Sequence, residues 1–154
     1  MKAFLVISFL SFGSLAMACP DLSGAYYCPD ERESQSNLAI TQVERDGVTT
    51  YTMNDFETTV LIADGVKRRS EEIGGGFKKI SEQVIACEGD VLNWSETYVV
   101  SKTKTGDLIA SGDKSVSIKR GEDGDLLSVG REILDFQGQK KTNVINDTCI
   151  RQRL

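Results

Sequence analysis

The sequence has no histidine, only two prolines and a single tryptophan among 154 residues. Each shortage excludes something. Without histidine there is no Ser-His-Asp or Cys-His relay, so nucleophilic catalysis of that type is ruled out. The usual zinc patterns go with it, since the four cysteines contain no Cys-x-x-Cys pair. No metal and no cofactor is therefore expected. Basic clusters are scarce: Val66-Lys67-Arg68-Arg69 is the only basic run, and Glu71-Glu72 follows it closely. A net charge of −5 without a basic patch argues against nucleic acid and against anionic lipid surfaces. Apolar runs long enough to matter for a membrane are confined to the N-terminus. A helical period is largely missing too.

The first eighteen residues have the layout of a secretory signal peptide. Lys2 precedes an uncharged apolar run, and Ala16-Met17-Ala18 supplies an A-x-A cleavage site. The run is shorter than the ~20 residues of a transmembrane helix. Export to a secreted or periplasmic location is expected, with a mature chain from Cys19 and no transmembrane segment. Loss of Lys2 takes the net charge from −5 to −6. A cysteine directly after the cut raises the alternative of a lipid anchor through Cys19. That alternative leaves three cysteines, an odd number in an oxidising compartment.

Both prolines lie in one stretch, Cys19-Pro20-Asp21-Leu22-Ser23-Gly24-Ala25-Tyr26-Tyr27-Cys28-Pro29-Asp30, where Cys-Pro-Asp occurs twice. Proline fixes φ and Asp favours turns, so the repeat reads as turn chemistry. Cys19, Cys28, Cys87 and Cys149 read as two disulfides. Nine extended steps span up to roughly 30 Å, against the ~5.5 Å that a bridge allows between Cα atoms, which disfavours Cys19–Cys28. Two connectivities stay open: Cys19–Cys149 with Cys28–Cys87, and Cys19–Cys87 with Cys28–Cys149.

Short runs rich in Val, Ile, Thr and Tyr are separated by Asp46-Gly47, Asp64-Gly65, Gly89-Asp90, Gly106-Asp107 and Asp123-Gly124. Asp-Gly between alternating residues is the strongest short hairpin signal. About ten strands are expected, near 23–29, 37–44, 48–54, 58–63, 66–72, 78–87, 91–103, 107–119, 125–135 and 140–151. Gly74-Gly75-Gly76 reads as a loop tip. The expected fold is all-β: one domain over 19–154, an antiparallel up-and-down meander closed into a barrel or half-barrel to hide its edges. A two-sheet sandwich is the alternative.

Leu22-Ser23-Gly24-Ala25-Tyr26, followed by Ser36-Asn37-Leu38-Ala39-Ile40, resembles the opening of calycin-type barrels, the lipocalins and avidins. Tyr26 stands where that family has tryptophan. The resemblance implies a meander barrel and no particular ligand. Avidins hold biotin with several tryptophans, and this chain has Trp94 alone. Tyr26-Tyr27-Cys28 is also similar to the first strand of small periplasmic lysozyme inhibitors.

Few patterns suggest chemistry. Gly121-Glu122-Asp123-Gly124-Asp125 departs from an EF-hand loop and reads as a solvated hairpin tip. Alternation gives a sharper clue. Leu92, Trp94, Glu96, Tyr98 and Val100 share a face that should point inward, which takes Glu96 with it. Leu127, Val129, Arg131 and Ile133 share a face in the same way. A buried Glu96 and a buried Arg131 would need each other or a ligand, unless a β-bulge turns them out. Two functions follow. In the first, a non-catalytic exported barrel holds a small amphipathic molecule between Trp94, Glu96, Tyr98 and Arg131. In the second, the chain is a protein-binding module, such as a hydrolase inhibitor, whose partner is another extracytoplasmic protein. A carboxylate enzyme ranks below both. A filled interior would remove the first reading and leave the second.

Overall fold

The computed structural model describes residues 19–29 and 36–152; the expected leader at 1–18 lies outside them. Ten strands form one antiparallel sheet: β1 (Gly24–Cys28), β2 (Ser36–Arg45), β3 (Val48–Asn54), β4 (Thr58–Ala63), β5 (Arg68–Gly74), β6 (Phe77–Glu88), β7 (Val91–Lys102), β8 (Leu108–Arg120), β9 (Leu126–Phe136) and β10 (Gln139–Arg151). The spatial order is β4-β3-β2-β1-β10-β9-β8-β7-β6-β5. Every hairpin pairs with its neighbour, and β1 pairs with β10, so the first and last strands meet in the middle. The sheet curls strongly into a half-barrel, and a single continuous sheet replaces the two of a sandwich.

Turn chemistry sets the strand boundaries. Asp46 and Gly47 both have positive φ, at 53° and 76°, the requirement of a two-residue type I′ hairpin. Gly75 and Gly76, at 58° and 82°, make the β5–β6 turn in the same way. β5 starts two residues later than the sequence pattern suggests. The Asp64 carboxylate accepts the Val66 N–H at 3.0 Å and two Arg68 guanidinium bonds at 2.6 and 2.8 Å. These contacts, Arg68 foremost, hold Asp64 at a pKa of about 2. They keep residues 65–67 in a side-chain-bonded turn and out of the ladder.

One end of the half-barrel is closed and filled. The Gly65 N–H donates to the Ile85 carbonyl at 2.9 Å, which draws the end of β4 against β6. Inside lie Tyr26, Ile40, Tyr51, Leu61, Ile85, Leu92, Ile118 and Leu126, all buried. The segment 19–23 plugs this end, with Leu22 only 1% exposed. The Tyr51 hydroxyl donates to the Pro20 carbonyl at 2.7 Å and the Tyr26 hydroxyl to the Leu22 carbonyl at 2.8 Å. Arg120 donates to the Ser23 carbonyl at 2.6 Å and reaches the Asp21 carboxylate at 3.4 Å. Two disulfides fasten the plug and the first strand, Cys19–Cys87 and Cys28–Cys149. This is one of the two connectivities left open by the sequence. It also corrects the lipid-anchor alternative, since the Cys19 sulfur is engaged with Cys87. Two disulfides fit a protein outside the cytoplasm. Among the described residues no helix is long and apolar enough to cross a membrane.

Two phenols, Tyr51 in the core and the part-buried Tyr98, make stability depend on alkaline pH. Burial, and secondarily the Asp21 charge, pushes Tyr51 up to about 12 from 10. Burial, then Glu132, does the same to Tyr98, also to about 12. A raised pKa means that the fold prefers the neutral phenol. Their contribution is complete below pH 10 and is lost as pH rises through 12. Tyr51→Phe is expected to cost about 1–2 kcal/mol at neutral pH, through the bond to Pro20. It should also lose less stability across the alkaline range than the parent. Urea unfolding at a series of pH values reads both effects, and parallel curves would refute the second.

Candidate functional site

The longest strands, β6 to β10, run beyond the closed end and form an open, curved sheet. Their side chains alternate between the concave face, continuous with the core, and the convex face. Trp94, Glu96 and Tyr98 of β7 all project from the concave face, as the alternation predicts, above the fully buried Leu92. The Glu96 side chain is 12% exposed.

Arg131 does not join them. In β9 the residues that share the core's face are Leu126, Ser128, Gly130, Glu132 and Leu134; Leu126 is 2% exposed, while Val129 is 54% exposed and Arg131 is on the surface. The expected internal Glu96–Arg131 pair is therefore corrected. A bulge is not the cause, because β9 keeps an unbroken register with both β8 and β10. The face itself was misassigned. Leu127 and Val129, apolar but convex, line a shallow depression of about 430 Å³ with Val91 and Lys119. The one register shift in this part of the sheet lies between Val100 and Ser101, past Glu96.

Glu96 has other partners. Pairing across five strands places Gln83, Glu96, Lys114, Glu132 and Asn143 in one row on the concave face. The ammonium of Lys79, whose own row is two away and pairs with Val100, meets Glu96 Oε1 at 3.1 Å and sits 5.0 Å from the centre of the Tyr98 ring. The Tyr98 hydroxyl donates to Glu132 Oε1 at 2.9 Å, and Asn143 Nδ2 donates to Oε2 at 3.3 Å. Lys114 lies between the two carboxylates in register. It forms no ion pair among the described residues; its ammonium stands 4.6 Å from the centre of the Trp94 ring. Cation–π contact of this kind contributes about 0.5–1 kcal/mol at exposed sites. Trp94 Nε1 is buried without a hydrogen-bond partner among the described residues.

Two glycines shape the tier. The Tyr98 ring packs over Gly112, where any Cβ would meet ring atom Cε1 at 2.6 Å. At Gly130 a Cβ would run into the Ser115 carbonyl oxygen and come within 2.8 Å of Val116 Cα. Glycine in a strand interior marks such close approaches.

Each carboxylate is already engaged, Glu96 by an ammonium and Glu132 by two neutral donors. Among the described residues no group of three or more potential ligands could hold a metal ion. The tier offers alternating charges, two aromatic faces and one ammonium that has no carboxylate partner. Lys79, Lys114, Glu132 and Asn143 went unread in the sequence because their proximity comes from pairing across several strands. Gly112 and Gly130, isolated within strand patterns, were the available signal. Comparison with protein-family models, with curated proteins and with solved structures finds no match to this chain.

Proposed function

We propose that the chain is a non-catalytic exported binding module whose partner is another extracytoplasmic protein, received on the concave face of the open half of the sheet. The observation that carries this reading is the division of the interior. The closed end, where a barrel would hold a small amphipathic ligand, is occupied by Leu22, Tyr26 and Tyr51. The open end presents the half-exposed tier of Trp94, Tyr98, Lys79 and Lys114, with Phe77 and Phe136 beyond it at 47% and 49% exposure. Aromatic residues ringed by polar groups are the usual anchors of a protein contact. A secreted or periplasmic hydrolase is one partner class that such a module would serve.

Site-directed photo-crosslinking in the host envelope tests the proposal. A photoreactive residue at Phe136, on the concave side, is expected to give a discrete adduct with a second protein. The same residue at Val144, on the convex side, is expected to give none. Equal labelling from both positions would overturn the assignment of the face. No adduct at Phe136, together with a small molecule retained in native mass spectrometry, would overturn the function.

A further inference from the structure

β5 is one of the two edges of the sheet, paired with β6 on one side only. Exposed edges invite pairing with another chain, and many proteins blunt them with charge. The charges on this edge are ordered in a particular way. Its first five residues are Arg68-Arg69-Ser70-Glu71-Glu72, a sequence whose charges invert about Ser70. Arg69 and Glu72 form no ion pair or side-chain hydrogen bond among the described residues, whereas Arg68 holds Asp64 and Glu71 holds Lys78.

We propose that β5 is a self-recognition edge: two copies of the chain pair their β5 strands antiparallel about Ser70 and form a two-fold dimer. In that register Arg68 of each copy lies opposite Glu72 of the other, and Arg69 opposite Glu71. Antiparallel partners that face each other share one side of the sheet, so both pairings are sterically direct. A two-fold axis normal to the sheet doubles each pairing, as an isologous contact requires. The register is also the only favourable one of its kind. A shift by two residues one way sets Arg69 against Arg69; the same shift the other way sets Glu71 against Glu71. The backbone groups that β5 leaves unpaired at the edge become the new ladder.

The test is a charge swap at two exposed positions, read by sedimentation velocity on the oxidised protein at low salt. Wild type is expected to dimerise and to dissociate as salt screens the four ion pairs. R69E places Glu opposite Glu71, and E71R places Arg opposite Arg69. Each alone should weaken the dimer on the order of tenfold or more, since like charges directly opposite disfavour pairing. An equimolar mixture of R69E and E71R restores opposite charges in both rows and should recover the dimer as a heterodimer. The mixture also shows that both variants are folded. A monomeric wild type, an R69E dimer as strong as wild type, or a mixture that stays monomeric would each overturn the proposal.

Discussion

Gly130→Ala is expected to destabilise the protein by about 3 kcal/mol or more, the upper range for overpacking, measured as the shift in urea unfolding with both disulfides intact. The usual penalty for placing a side chain where none was is reduced by motion of flexible neighbours. Here the obstacles are the Ser115 carbonyl and the Val116 Cα, both backbone atoms of β8. The new methyl group can be accommodated only if β9 moves away from β8, which breaks ladder bonds beside the core residues Val116 and Ile118. Gly112→Ala is the internal comparison. Its obstacle is the Tyr98 ring, which can swing aside and give up the bond to Glu132, a loss of about 1–2 kcal/mol. A Gly130→Ala protein within about 1 kcal/mol of wild type would mean that β9 does not approach β8 this closely.

The second large effect concerns Cys28–Cys149. Replacing both residues by alanine is expected to cost about 4 kcal/mol on a chain-entropy argument. The sequence separation is 121 residues. The shorter route between the two ends runs back to Cys19, across its bridge to Cys87 and onward, roughly 70 residues, and that length sets the closure term. The bridge also ties β1 to β10 at the place where the two halves of the sheet join, and β1 is only five residues long. Loss of cooperativity along with stability is therefore expected, with β1 to β4 separating from β6 to β10. Chemical denaturation followed by both Trp94 fluorescence and far-ultraviolet dichroism reads this. Coincident curves displaced by less than about 1 kcal/mol would refute it.

The hairpins were legible in the sequence because each depends on two or three adjacent residues, as Asp46-Gly47 shows. β7 was legible because its two faces differ: Leu92, Trp94, Tyr98 and Val100 against Asn93, Ser95 and Thr97. β9 was not, since both of its faces carry apolar residues. Counting favours Leu127, Val129 and Ile133, but the buried face is the one with Gly130, where the backbone of β8 comes too close for any side chain. Lys114 illustrates a different limit. Its position between Glu96 and Glu132 depends on the register of three strands and on a bulge at Val100 and Ser101 that no local pattern announces. The cysteine pairing was narrowed to two choices and no further, since the decision lay in which strand β1 would adopt as its second neighbour. The role of Pro20 and Leu22 as a plug was hidden for the same reason: their partners are Tyr51 of β3 and Gln42 of β2, whose side-chain oxygen accepts the Leu22 N–H at 3.2 Å.

The two disulfides interlock. Cys28 falls between Cys19 and Cys87, while Cys87 falls between Cys28 and Cys149. Every peptide bond from residue 19 to residue 149 is thus spanned by at least one bridge, and those between 28 and 87 by both. A protease that makes a single cut anywhere in that interval opens the chain but sets no fragment free. Proteases attack folded proteins at loops and hairpin tips, and here the long meander has many such tips. Covalent wholeness survives the first injury at any of them, and the severed ends stay tethered close to the places from which they came.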